Sequence, residues 1–74
     1  MKHIMLDLET LGTRADAVIL SLGAVKFDLT SGKIDDQGFY ASISIDSNQE
    51  LGRHIQEDTL LWWLKQPAAA QQVF

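Results

Sequence analysis

Asp7 and Glu9 are the residues of this chain whose types and spacing could do chemistry. They lie two positions apart in Lys2-His3-Ile4-Met5-Leu6-Asp7-Leu8-Glu9-Thr10, a stretch apolar enough to read as a short buried strand. Alternation along a strand sends Ile4, Leu6 and Leu8 to one face and His3, Met5, Asp7 and Glu9 to the other. At ~3.3 Å rise per residue, the Cα atoms of the two acids stand ~6.6 Å apart on their shared face. Carboxylates so placed repel each other unless a cation lies between them, and hard divalent ions such as Mg²⁺ prefer carboxylate oxygens. The same D-x-E pattern is common among solvated surface acids, so it is the apolar setting of this pair that favours a metal site. His3 shares their face, whereas His54 has no partner at ligand spacing and reads as an ordinary exposed histidine.

The elements that must position these acids follow from periodicity. Strand one covers about residues 2–9, and the Gly, Thr and Asp of 11–17 make a loop. A long strand is expected over about 18–29, apolar on both alternating sets at first and exposed on one face near Lys26 and Asp28. Ser21 and Gly23 fall on one set of that strand and leave room for close packing or for a ligand at strand one. Thr30-Ser31-Gly32-Lys33 is a turn with glycine where a positive φ is needed, and a third strand follows within about 37–45. The three strands then form an antiparallel meander with strand one at an edge, whose unpaired backbone invites a further strand.

Residues 46–56 are polar and weakly patterned and read as a surface loop. A helix is expected over about 58–66, capped by Asp58 or Thr59, with Leu60, Trp63 and Leu64 as its apolar stripe and Leu61 widening it. Pro67 ends it and opens a second helix over about 67–74. One of Trp62 and Trp63 packs against the sheet and the other is free to stack on a base or ring, because both cannot share one buried stripe.

Size and composition bound the function. Seventy-four residues with 46% hydrophobic and 22% charged content make at most one small globular domain. There is no cysteine, which excludes disulfides and thiolate metal sites. No apolar run approaches the ~20 residues of a membrane span and no signal-peptide pattern opens the chain, so a cytoplasmic protein is expected. The net charge of −4 and the scattered basic residues Lys2, Arg14, Lys26, Lys33, Arg53 and Lys65 exclude a broad cationic nucleic-acid surface. Any nucleic-acid contact must be local and metal-assisted.

Asp7-Leu8-Glu9-Thr10 resembles the first motif of the DEDD superfamily of 3′–5′ exonucleases, which have a ribonuclease H-like fold. The Ile19–Val25 segment, Phe27-Asp28, the Thr30-Ser31-Gly32 turn and Thr59-Leu60-Leu61-Trp62-Trp63-Leu64-Lys65-Gln66 extend the likeness across essentially the whole chain. Together they are similar to a prophage and bacterial branch containing the mycobacterial-type 3′–5′ exoribonucleases. The resemblance implies an α/β fold, here its N-terminal portion: a three-stranded antiparallel meander with one or two helices.

It also implies metal-dependent hydrolysis of terminal phosphodiesters of RNA or DNA, with two ions of Mg²⁺ or Mn²⁺ held by four acids. Asp7 and Glu9 match the first two acids, Asp7 being the one suited to bridge both metals. Backbone around Thr10 and Leu11 would lie beside the terminal nucleotide. The family's later acidic motifs and its general base lie beyond the Trp-Trp helix, where this sequence has ended. The chain alone is therefore expected to be inactive or nearly so unless a second chain completes the site. The expected partners are single-stranded or 3′-overhang nucleic acid and further copies joined through the open sheet edge, with no membrane. Two rivals stand beside the enzyme: an inactive prophage remnant that oligomerises through strand one, and an interaction module whose Trp-Trp helix docks on a partner.

Overall fold

The computed structural model describes residues 2–74. Three strands, β1 (His3–Thr10), β2 (Ile19–Phe27) and β3 (Phe39–Ser42), form one antiparallel sheet in the order β1-β2-β3. Three short helices follow: α1 (Ile45–Glu50), α2 (Glu57–Leu64) and α3 (Ala68–Gln71). The α/β class, the meander and the edge position of β1 agree with the sequence. The β2–β3 connection turns where expected, with Gly32 at φ 71°, its N–H on the Asp28 carbonyl, and the Asp28 carboxylate accepting from Thr30 N–H.

Several expectations are corrected. The 46–56 segment is not all loop: α1 occupies its first half, and β3 stops at Ser42 to make way for it. Ser44 caps α1 by accepting from the Ser47 N–H, and Gly52, at φ 76°, turns the chain out of it. What holds α1 down is a polar residue. The Asn48 side chain is buried, accepts from Ile19 N–H at 2.9 Å, and donates to the carbonyls of Ile19 at 2.9 Å and Ser44 at 2.8 Å. It completes the backbone pairing of β2 at the point where the strand begins.

The cap of α2 is Gln56 rather than Asp58 or Thr59, and Pro67 is the cap of α3 rather than its first residue. Leu64 faces solvent, so the apolar stripe of α2 reduces to Trp63 with Leu60 beside it. The second helix is shorter than expected, ending at Gln71.

The largest correction concerns β1. Its apolar run predicts burial, yet Ile4 and Leu6 are 65% and 56% exposed, and Met5 and Leu8 are exposed as well. The core lies instead beyond the end of the strand, where Leu11, Val18, Leu20 and Trp63 cluster and Ile45, Ile55, Leu60 and Val73 pack around them. These residues come from the loop after β1, the start of β2 and the helices. The apolar run in β1 therefore marked a strand correctly but not its burial, because among the described residues no element covers its Ile4–Leu6–Leu8 face. No helix among the described residues is long and apolar enough to cross a membrane.

Replacing Asn48 by Ala orphans the peptide groups of Ile19. Denaturant unfolding is expected to show a loss of about 2–3 kcal/mol, the cost of unsatisfied buried groups. A loss below about 0.5 kcal/mol would show that Asn48 does not anchor α1.

Candidate functional site

The antiparallel register decides what stands beside each acid. Asp7 pairs with Gly23 and Glu9 with Ser21, and across β2 Gly23 pairs with Tyr40 and Ser21 with Ser42. Two rows thus run across the sheet on one face, Asp7–Gly23–Tyr40 and Glu9–Ser21–Ser42. Both acids have small neighbours, so no bulky cross-strand side chain shields either carboxylate.

These six residues form one wall of a cleft of about 630 Å³. Trp63 and the α3 region, through Ala69, Ala70, Gln72 and Val73, form the other. Among the described residues, the only charged side chains lining it are Asp7 and Glu9. The cleft lining is accordingly anionic and attracts positive charge.

The elements around it are tied together at the end of β1. The Trp63 indole N–H donates to the Thr10 carbonyl at 2.9 Å, so α2 is fixed to the strand that carries the acids. Leu11 is fully buried; its N–H donates to the Val18 carbonyl at 2.9 Å and its carbonyl accepts from Gln56 N–H at 2.8 Å. The Gln56 side chain accepts in turn from Thr13 N–H at 3.0 Å. Gly12 fits closely beneath this bracket, since a Cβ there would stand 3.0 Å from the Ala17 Cβ and would oblige a neighbour to shift. On the far side of Trp63, the Phe74 ring meets it edge-on with centroids 5.8 Å apart.

The structure brings Asp7 and Glu9 together with Ser21 and Gly23, the two small residues expected to leave space at strand one. Thr10, the last residue of β1, and Leu11, the first beyond it, lie past the cleft wall rather than in it; the Thr10 hydroxyl donates to the Gly12 carbonyl at 2.7 Å. Neither histidine joins the cleft: the His3 ring leans on Phe27, with centroids 5.3 Å apart, and His54 contributes its backbone to Val18 and Asp16. Of the tryptophans, Trp63 is the buried one at 7% exposure and Trp62 is 54% exposed. Tyr40 and Gln72 line the cleft although sequence reasoning gave them no role. Tyr40 was legible only as one position of an alternating strand, and Gln72 follows a helix whose placement depends on tertiary packing.

Among the described residues, no group of three or more His, Cys, Asp or Glu side chains is arranged to hold a metal. Two carboxylates nonetheless suit Mg²⁺, which is commonly held by one or two protein carboxylates, with water and substrate phosphate oxygens completing the octahedron. The donor set fits a hard divalent ion and no soft one.

A family model described as the 3′-5′ exoribonuclease Rv2179c-like domain matches residues 2–74. No curated protein and no solved structure matches the chain.

Calorimetric titration with Mn²⁺ is expected to show weak binding to the wild-type chain. Asp7→Asn with Glu9→Gln should weaken it at least tenfold, about 1.4 kcal/mol or more. Unchanged binding in that double variant would place the cation elsewhere.

Proposed function

Because the chain belongs to the 3′-5′ exoribonuclease Rv2179c-like family, we propose that it acts on RNA 3′ ends through a divalent metal held by Asp7 and Glu9. The single observation that carries this reading is the cross-strand register. It sets both carboxylates on the floor of one cleft, beside Gly23 and Ser21, with no cationic side chain lining it among the described residues. Bound there, Mg²⁺ or Mn²⁺ would supply Lewis acidity and an activated water for phosphodiester hydrolysis. Asp7 and Glu9 hold the ion, Ser21 and Gly23 keep the space above it open, and the Trp63–Thr10 bond fixes the wall opposite. Thr10 and Leu11 follow directly on the acids and support the end of the cleft where the terminal nucleotide would lie. Leu11, whose own peptide groups are both engaged, acts by holding that end in place.

The reading extends to the DEDD superfamily and the ribonuclease H-like fold, in which Asp7 and Glu9 would be the first two of four acidic ligands, with Asp7 the one suited to hold both metals. The substrate is single-stranded or 3′-overhanging RNA, and the site of action is the cytoplasm. No imidazole lines the cleft and no residue of the chain is assigned as general base. Hydrolysis by the chain alone is accordingly slow, and a second chain that adds ligands raises it.

A second reading, an oligomeric module of the same fold, is favoured by the outer edge of β1. Lys26 gives its carbonyl to Asp35 on the β3 side, so alternation turns the peptide groups of Met5 and Asp7 toward β2 and those of Ile4, Leu6 and Leu8 outward. Free backbone groups flanked by exposed apolar side chains invite pairing with another strand.

One experiment separates the two. The release of mononucleotides from 3′-labelled RNA, with a DNA strand for comparison, is followed across protein concentration with Mg²⁺ or Mn²⁺. Slow metal-dependent release that Asp7→Ala abolishes is the expected result. No release at any concentration, from a chain that sediments as an oligomer, would overturn the hydrolytic reading in favour of the module.

A further inference from the structure

We infer that Tyr40 is the stacking platform for the base or ribose of the RNA 3′-terminal nucleotide, held opposite Asp7 across the gap left by Gly23. The inference rests on the exoribonuclease reading of the same cleft and adds the contact that would position its substrate.

The row Asp7–Gly23–Tyr40 spans all three strands on one face, and all three residues line the cleft. At ~4.8 Å between neighbouring strands, the Cα atoms of Asp7 and Tyr40 lie ~9.6 Å apart. Gly23 stands between them. A glycine inside a strand weakens it, and its usual justification is the close approach of a ligand or another backbone. Here a Cβ at position 23 would meet no atom within 4 Å, so no protein group has taken the space. The floor between carboxylate and ring is open.

Tyr40 is 67% exposed, a large aromatic body left in contact with water. Among the described residues its ring packs on no other aromatic ring and its hydroxyl makes no hydrogen bond within the chain. The other aromatic of the cleft, Trp63, is buried and its indole N–H is committed to Thr10, so it cannot turn to meet a ligand. Trp62 is exposed but does not line the cleft. Tyr40 is thus the one aromatic ring of the site free to receive a flat partner.

The order of chemistry along the row matches that of a nucleotide. Asp7 and Glu9 would hold the metal that takes the anionic phosphate, the open glycine admits the sugar, and the tyrosine ring offers its face to the base or ribose. Stacking on an aromatic ring tolerates any base, which suits an enzyme that removes successive nucleotides from an end.

The test is a titration of wild type, Tyr40→Phe and Tyr40→Ala with adenosine and uridine 5′-monophosphates in the presence of Mg²⁺, with Mn²⁺ binding measured separately without nucleotide. Tyr40→Phe is expected to keep the nucleotide affinity. Tyr40→Ala should lose roughly 5- to 150-fold, as for removal of one stacked base. Mn²⁺ binding should be the same in all three, which also reports that the site remains folded. Wild-type nucleotide affinity in Tyr40→Ala, or metal binding without nucleotide binding in the wild type, would overturn the platform. Failure of the exoribonuclease reading itself shows differently, as a wild-type chain that neither binds Mn²⁺ nor releases nucleotides from RNA. That result would remove the platform with it.

Discussion

The indole N–H of Trp63 reaches the carbonyl of Thr10 at 2.9 Å, and through that bond the helical layer is attached to the strand that carries the acids. A buried indole without an acceptor would lose the hydrogen bond it makes in water, so packing Trp63 in the core obliges a partner at the right depth. The end of β1 supplies one. Leu11, Val18 and Leu20 close around the junction, while Gln56 bonds to Leu11 and Thr13 and so ties the start of α2 to the same turn. The cleft is a consequence. One wall is the sheet face bearing Asp7 and Glu9, and the other begins at Trp63 and continues through the α3 region.

The two faces of the sheet differ in a way that bears on function. One face is polar at the end that bears Asp7, Glu9, Ser21, Gly23, Tyr40 and Ser42, and the helices leave a cleft above that end. The opposite face, with Ile4, Leu6, Leu8, Leu22, Ala24 and Phe39, is apolar and largely uncovered among the described residues. Burial of apolar area is the main favourable term in folding, and this sheet leaves much of it unused. The chain relies instead on a small cluster at one end and on specific polar bonds, of which those of Asn48 are the clearest.

How much was legible in the sequence depends on which force places each element. The meander could be read because strand alternation and the Gly32 turn are local signals. The acid pair could be read because Asp7 and Glu9 are two apart on one strand, and their small neighbours Ser21 and Gly23 were already visible as a set. Helix α1 was not legible. Its hold on β2 comes from one amide side chain that satisfies Ile19, which leaves no periodic trace. The burial of β1 was misread for the complementary reason: an apolar run reports what a strand could bury, whereas exposure depends on what packs against it. Helix α2 shows both sides, since the i, i+3 spacing already set Trp63 with Leu60 on the apolar stripe, whereas tertiary packing left Leu64 of that stripe exposed.

The central claim is that a divalent cation sits on the polar face between Asp7 and Glu9. Paramagnetic broadening of backbone amide resonances by substoichiometric Mn²⁺ locates such an ion most directly, because the effect falls steeply with distance. The account predicts broadening centred on Asp7, Glu9, Ser21 and Gly23, fading toward Tyr40 and sparing the acids at Asp35, Asp36, Glu57 and Asp58. Broadening centred on those other acids, with the β1–β2 amides sharp, would contradict it.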